Sequence, residues 1–186
     1  MQVLRYDTPL SAIESNYSFA PKIFLAGPTV RAHQTHLKSW RPDAIEIFER
    51  LGFNGSIIIP EFLVRNEANL EKGEIPRWEF TSIQESDCVM FWVPRTEETI
   101  GLTTNYELGY WTARDRKKVV YGRPDDAYRI SYPDILWKLD AECYGLGNTP
   151  DTIYNTLEDT VKAAMAVADK RYSLKKAKQL VSELSQ

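Results

Sequence analysis

Three stretches of the chain combine residue types that can do chemistry. The first is Ile23-Phe24-Leu25-Ala26-Gly27-Pro28-Thr29, an apolar run that ends in a turn. Gly27 lets a ligand approach the backbone closely, and Pro28-Thr29 shapes the loop beyond it. The same pair also fits an ordinary turn after a strand, and the stretch is neither a Walker loop nor a GxGxxG fingerprint. The second stretch is Gly101-Leu102-Thr103-Thr104-Asn105-Tyr106-Glu107-Leu108-Gly109. Thr104-x-x-Glu107 has the spacing of a capping box, which puts Glu107 at the third helical position and bonds it back to the cap. Ser11-x-x-Glu14 and Ser82-x-x-Glu85 share that spacing. A carboxylate so placed is also kept ionised by the helix dipole, the state a nucleophile needs. Local sequence leaves both readings of Glu107 open. The third stretch is Trp78-Glu79, where Glu79 is either a solvated helix edge or a general acid whose pKa is raised by burial beside Trp78.

The elements that must position these residues follow from the apolar pattern. Four continuous apolar runs predict buried strands: Lys22 to Ala26, Ser56 to Pro60, Asp87 to Val93, and Lys118 to Tyr121. Continuity rather than alternation is what strands covered on both faces show. Helices are predicted between them over Ser39 to Leu51, Pro76 to Glu85 and Thr104 to Arg116. Pro42 is tolerated in the first turn of the first, and Gly52 supplies its stop. Beyond Arg129 the pattern weakens, with one helix expected over Asp151 to Lys170 and a second, more polar one over Lys175 to Leu184. Strand and helix in alternation predict an α/β fold with a parallel sheet. Ligands of such sheets bind beyond the carboxyl ends of the strands. That rule selects the loops Gly27 to Arg31, Pro60 to Arg65, Pro94 to Thr104 and Gly122 to Asp126.

Composition removes several classes of function. The chain is 43% hydrophobic, enough to bury a core, so a disordered chain is not expected. Its net charge of −3 and the lack of a like-charged block argue against a nucleic acid polymer as partner. Cys88 and Cys143, with His33 and His36, form no metal-ligand spacing, so neither a metal nor a cofactor is expected. No apolar run is long enough for a membrane span, and Met1 to Pro9 has no signal-peptide core. The expectation is a cytoplasmic protein with one domain over 1–186, its core at about 20–170 and a helical tail over 171–186.

Taken in order, these segments resemble the nucleoside 2-deoxyribosyltransferase-like family. The resemblance rests on Ile23 to Thr29, Ser39-Trp40-Arg41-Pro42, Glu79 eight residues ahead of Asp87, and Phe91-Trp92-Val93-Pro94-Arg95. It continues through Gly101 to Gly109 and Lys118 to Pro124, with a weaker echo in Tyr154 to Thr160. It implies a flavodoxin-like or Rossmann-like sheet with helices on both faces and a C-terminal helical extension. It also implies cleavage or transfer at the N-glycosidic bond of a nucleoside or nucleotide, in a protein that is commonly a homo-oligomer. By resemblance Glu107 is the nucleophile that forms a glycosyl-enzyme, and Glu79 stands where the family has the base-side Asp. Gly27, Pro28, Thr29, Arg31, Trp78, Thr103, Thr104 and Asn105 are the expected substrate contacts. Arg41 and Arg77 are further candidates for a phosphate or base. One departure is Gly101, where the transferases carry an Asp six residues before the nucleophile. A nucleotide hydrolase, or a binding module on the same fold without turnover, fits that substitution as well as a transferase does.

Overall fold

The computed structural model describes residues 1–15, 20–31, 33–61, 73–143 and 152–185. Five strands form one parallel sheet: β1 (Gln2–Leu4), β2 (Lys22–Ala26), β3 (Ser56–Ile58), β4 (Cys88–Trp92) and β5 (Val119–Gly122), in the order β1-β3-β2-β4-β5. Among the described residues six α-helices accompany them: α1 (Leu10–Ser15), α2 (Arg41–Arg50), α3 (Glu74–Glu85), α4 (Leu102–Asp115), α5 (Ser131–Cys143) and α6 (Leu157–Leu184). This is the flavodoxin-like α/β architecture that the apolar runs and the resemblance predict.

Strand residues alternate between two cores. Phe24, Ala26, Val89, Phe91, Val119 and Tyr121 meet Ile13 of α1, Trp78 and Ile83 of α3, Leu108 and Trp111 of α4, and Trp137 of α5. On the other face Ile23, Leu25, Met90, Trp92 and Val120 meet Ala44 and Phe48 of α2 and Val161, Ala164 and Ala168 of α6. The two layers account for the continuous apolar character of β2 to β5, since neither face sees water. Pro42 falls at the start of α2, where its missing N–H costs nothing.

Several elements differ from the sequence expectation. β1 and α1 occupy a segment in which no element was expected, because a three-residue edge strand carries too short a pattern. α5 was also not expected: Tyr132, Ile135, Leu136 and Leu139 stay exposed and only Trp137 is buried, so no inward stripe marks it. The two helices expected in the C-terminal part are one continuous helix, since no breaker stands between Arg171 and Lys175. Arg171 pairs with Asp115 at 2.7 Å, and from 173 onward the helix is exposed along its length. The helix expected from Asp151 starts only at Leu157, where the Thr156 side chain caps it, and 152–156 are not helical; positions 62–65 of the second candidate loop lie outside the described residues. Among the described residues no helix is long and apolar enough to cross a membrane.

The two ends of the sheet serve different ends. Where the strands begin, buried Asp87 accepts from the Lys22 backbone N–H at 3.0 Å and pairs with Lys175 at 2.7 Å. Where they finish, β2 has β3 on one side and β4 on the other, and the chain reaches β4 by crossing over β2 after leaving β3. That reversal opens a crevice between the carboxyl ends of β2 and β4, the usual place for a ligand.

Candidate functional site

A cavity of about 660 Å³ lies in this crevice. Its walls are Gly27, Thr29, Val30, Arg31, His33 and Gln34 after β2, Arg41 of α2, Pro60 after β3, and Glu79 of α3. Glu98 to Thr104 and Glu107, around the start of α4, close it. The strap after β2 and the loop ahead of α4 are joined: Gln34 donates to the Glu98 carbonyl at 2.6 Å, and His36 meets the Glu98 carboxylate at 2.6 Å.

Beneath the cavity Arg41 is fully buried. Its guanidinium donates to the Leu25 carbonyl at 3.2 Å, the Gly27 carbonyl at 3.0 Å and the Glu61 carboxylate at 2.8 Å. Ser39 holds the same Glu61 oxygen at 2.7 Å. β2 is leaving the sheet at that point, so its last carbonyls need a donor that no neighbouring strand supplies. A buried cation in turn needs pairing on several sides, and here the two requirements satisfy one another. Gly27 completes the exit with φ at +148°. A Cβ there would lie 2.1 Å from the Trp92 carbonyl oxygen, so no larger residue fits without moving the end of β4.

Glu107 does not sit in a capping box. α4 begins at Leu102, its cap is Gly101 in the left-handed region, and no side chain caps it. Thr104 is therefore the third helical residue and Glu107 the sixth, beyond the first turn in which the dipole acts on a charge. Thr104 is buried at the helix start. Ser11 and Ser82, of the two similar spacings, lie inside α1 and α3 and cap nothing.

Burial is what sets the state of Glu107. It pushes the carboxyl up to about 7 from its ordinary 4.5, the charge of Glu79 adds to the rise, and Arg41 opposes it. Glu79 is also raised, chiefly by burial, against a hydrogen bond from Tyr6 and the charge of Arg41. The Tyr6 hydroxyl donates to Glu79 Oε1. It stays protonated, because burial and the neighbouring carboxylate push the phenol far above its ordinary range. The solvated-edge reading of Glu79 does not hold. Two carboxyls at the wall of one cavity, facing one guanidinium, resist ionising together.

Of the expected contacts, Gly27, Thr29, Arg31, Thr103 and Thr104 line the cavity with the two glutamates. Three do not. Pro28 is buried under it, with its carbonyl accepting from the Trp40 indole at 3.1 Å. Asn105 points along the opposite side of α4 and accepts from Arg95. Trp78 is turned into the core beside Tyr6, with its indole donating to the Thr8 carbonyl at 2.9 Å. Arg77 is exposed beside a separate hollow under Trp78. The aromatic residues near the two carboxylates are instead Phe80, Tyr106, Tyr110 and Trp111, around an apolar hollow of about 460 Å³ that shares Glu79 and Glu107.

A family profile described as nucleoside 2-deoxyribosyltransferase like matches residues 20–125, more than half of the chain. The chain belongs to that family. Among curated proteins no significant match is found. The nucleoside 2-deoxyribosyltransferase-like span holds β2 to β5, α2 to α4, Arg41 and both glutamates. Membership implies an enzyme that acts on a small-molecule nucleoside. β1, with Tyr6 just beyond it, lies outside the family span and still reaches the site. Sequence reasoning missed Tyr6 for that reason. It weighed Arg41 as a surface cation or a contact for a phosphate or base, and a cation at a helix start shows nothing of the carbonyls that Arg41, buried at the cavity wall, meets.

Proposed function

We propose that this protein cleaves the N-glycosidic bond of a nucleoside or nucleotide through a covalent ester on Glu107. The observation that carries this is the pair of half-buried carboxyls, Glu79 and Glu107, at the wall of one cavity in the family-matched crevice. The Glu107 carboxylate attacks the anomeric carbon, and the bond to the base breaks as the new ester forms. Glu79 gives its proton to the departing nitrogen, so the base leaves neutral. Glu79, now a base, then takes a proton from water or from an incoming base, which attacks the same carbon and frees Glu107. The chemistry parallels retaining glycoside hydrolysis, in which one carboxyl is the nucleophile and a second is the acid. Arg41 limits how far both carboxyls rise, which keeps Glu107 ionisable near neutral pH. Thr103, Thr104 and Thr29 offer hydroxyls to a sugar, and Arg31 a cation at the rim.

The test is turnover by the wild type and Glu107→Ala on a panel of deoxynucleosides, ribonucleosides and their monophosphates, with and without acceptor base. Free base released by the wild type and lost in the variant is the expected result. Dependence on the acceptor selects transfer, and release into water selects hydrolysis. A binding module is the second reading, favoured by Gly101. A Cβ at that position meets the Pro28 ring at 3.0 Å and the Thr104 hydroxyl at 3.1 Å, so the Asp of the transferases fits poorly there. Tight binding without release of base, equal in wild type and Glu107→Ala, would decide for it.

A further inference from the structure

The N-terminal segment makes a built contact with the site that the family span does not contain. The Arg5 N–H donates to Thr8 Oγ1 at 3.0 Å and the Thr8 N–H returns to the Arg5 carbonyl at 2.8 Å, closing a turn that carries Tyr6 and Asp7. Two clasps fix that turn on α3. The Tyr6 ring packs on Trp78 with centroids 4.7 Å apart, and the Trp78 indole donates to the Thr8 carbonyl at 2.9 Å. The phenol is thus aimed by packing, and its hydroxyl meets Glu79 Oε1. Another hollow, of about 540 Å³, adjoins the main cavity, with Tyr6, Ser39, Glu61 and Ile75 on its walls and Glu79 shared by the two.

We propose that Tyr6 is a positioning residue for Glu79, fixing which carboxyl oxygen carries the proton towards the leaving base. This rests on the functional reading above. Because the phenol already donates to Oε1, a proton held by Glu79 sits on Oε2, and the carboxyl cannot rotate without breaking the bond. Tyr6 does not take that proton itself, since it remains a neutral donor throughout. The family span supplies the acid and the N-terminal turn supplies its orientation.

Tyr6→Phe keeps the ring on Trp78 and removes only the donor. With a base-releasing substrate, kcat is expected to fall about tenfold with KM within about twofold, the loss of an acid's aim rather than of the acid. The alkaline limb of the rate profile should move upward, since the lost hydrogen bond favoured ionised Glu79. In a Glu79→Gln background the same change should cost nothing further, whereas a purely structural role would add its full effect there. A readout that needs no turnover is carbon NMR of side-chain-labelled glutamate, with Glu79 assigned by the Glu79→Gln spectrum. Its titration should move to higher pH in Tyr6→Phe. An unmoved titration, or an undiminished Tyr6→Phe loss in the Glu79→Gln background, would overturn the proposal. If the wild type releases no base from any substrate the functional reading fails, and the titration still decides the role of Tyr6.

Discussion

Replacing Glu107 by Gln should make the protein more stable at alkaline pH. The folded protein holds this carboxyl at about 7 against an ordinary value of 4.5. Between those two values the native state keeps a proton that the unfolded chain releases. Stability from this group is therefore fully present below about 4.5 and is lost as pH rises through about 7. At about 1.4 kcal/mol for each tenfold in proton affinity, the full difference is roughly 3 kcal/mol. Coupling to Glu79 and contact with solvent reduce what an experiment will read, so about 1–3 kcal/mol is expected at pH 8. Gln has the same shape and no charge to bury, and it breaks no cap. Urea unfolding of both proteins at half-unit steps from pH 5 to 8.5, followed by tryptophan fluorescence, measures the difference directly. Trp78 and Trp111 are buried on the face that carries Glu107 and report its unfolding. The variant should lead the wild type by little near pH 5, gain on it up to about pH 7 and hold that lead above, while losing turnover. A capping role gives the opposite sign, a loss of about 0.5–2 kcal/mol. A difference flat in pH, or a wild type more stable at pH 8, would refute the reasoning.

Gly27→Ala should cost about 2–5 kcal/mol, combining a φ that L-residues avoid with a Cβ 2.1 Å from the Trp92 carbonyl oxygen; its urea midpoint checks this. Arg41→Met leaves Glu61 and the β2 carbonyls without their donor and should cost about 3–5 kcal/mol. In whatever folded fraction remains, the acid limb of activity should move to higher pH, because Arg41 is the group that holds Glu107 down. Asn105→Ala should leave kcat/KM nearly unchanged and reduce stability by about 1–3 kcal/mol, since its partner is buried Arg95 rather than substrate; activity and thermal melts separate the two.

The central sheet was legible because burial on both faces imprints a continuous apolar run, and β2 to β5 each carry one. Glu79 and Glu107 were legible through their spacing from Asp87 and Gly109 within a family pattern. The direction a side chain takes around its helix was not. Asn105 and Trp78 stand next to cavity residues in sequence and point away from it, Asn105 towards Arg95 and Trp78 towards Thr8. The state of Glu107 also escaped local sequence, because α4 starts two residues before Thr104 and the shift comes from burial. Tyr6 and Arg41 act on partners 73 and 14 to 20 residues away, a relation that only the folded chain creates.

Among the described residues β1 is the first strand and pairs only with β3, Gln2 against Ser56 and Leu4 against Ile58. During synthesis it has no neighbour until more than fifty further residues have been made, and β2 waits longer still for β4, with Ile23 opposite Cys88. Both parts of the site therefore rest on long-range pairing, the cavity walls on β2 with β4 and the turn bearing Tyr6 on β1 with β3. The Tyr6 contact to Glu79 thus depends on the edge of the sheet, while the cavity it serves is built at the sheet's centre.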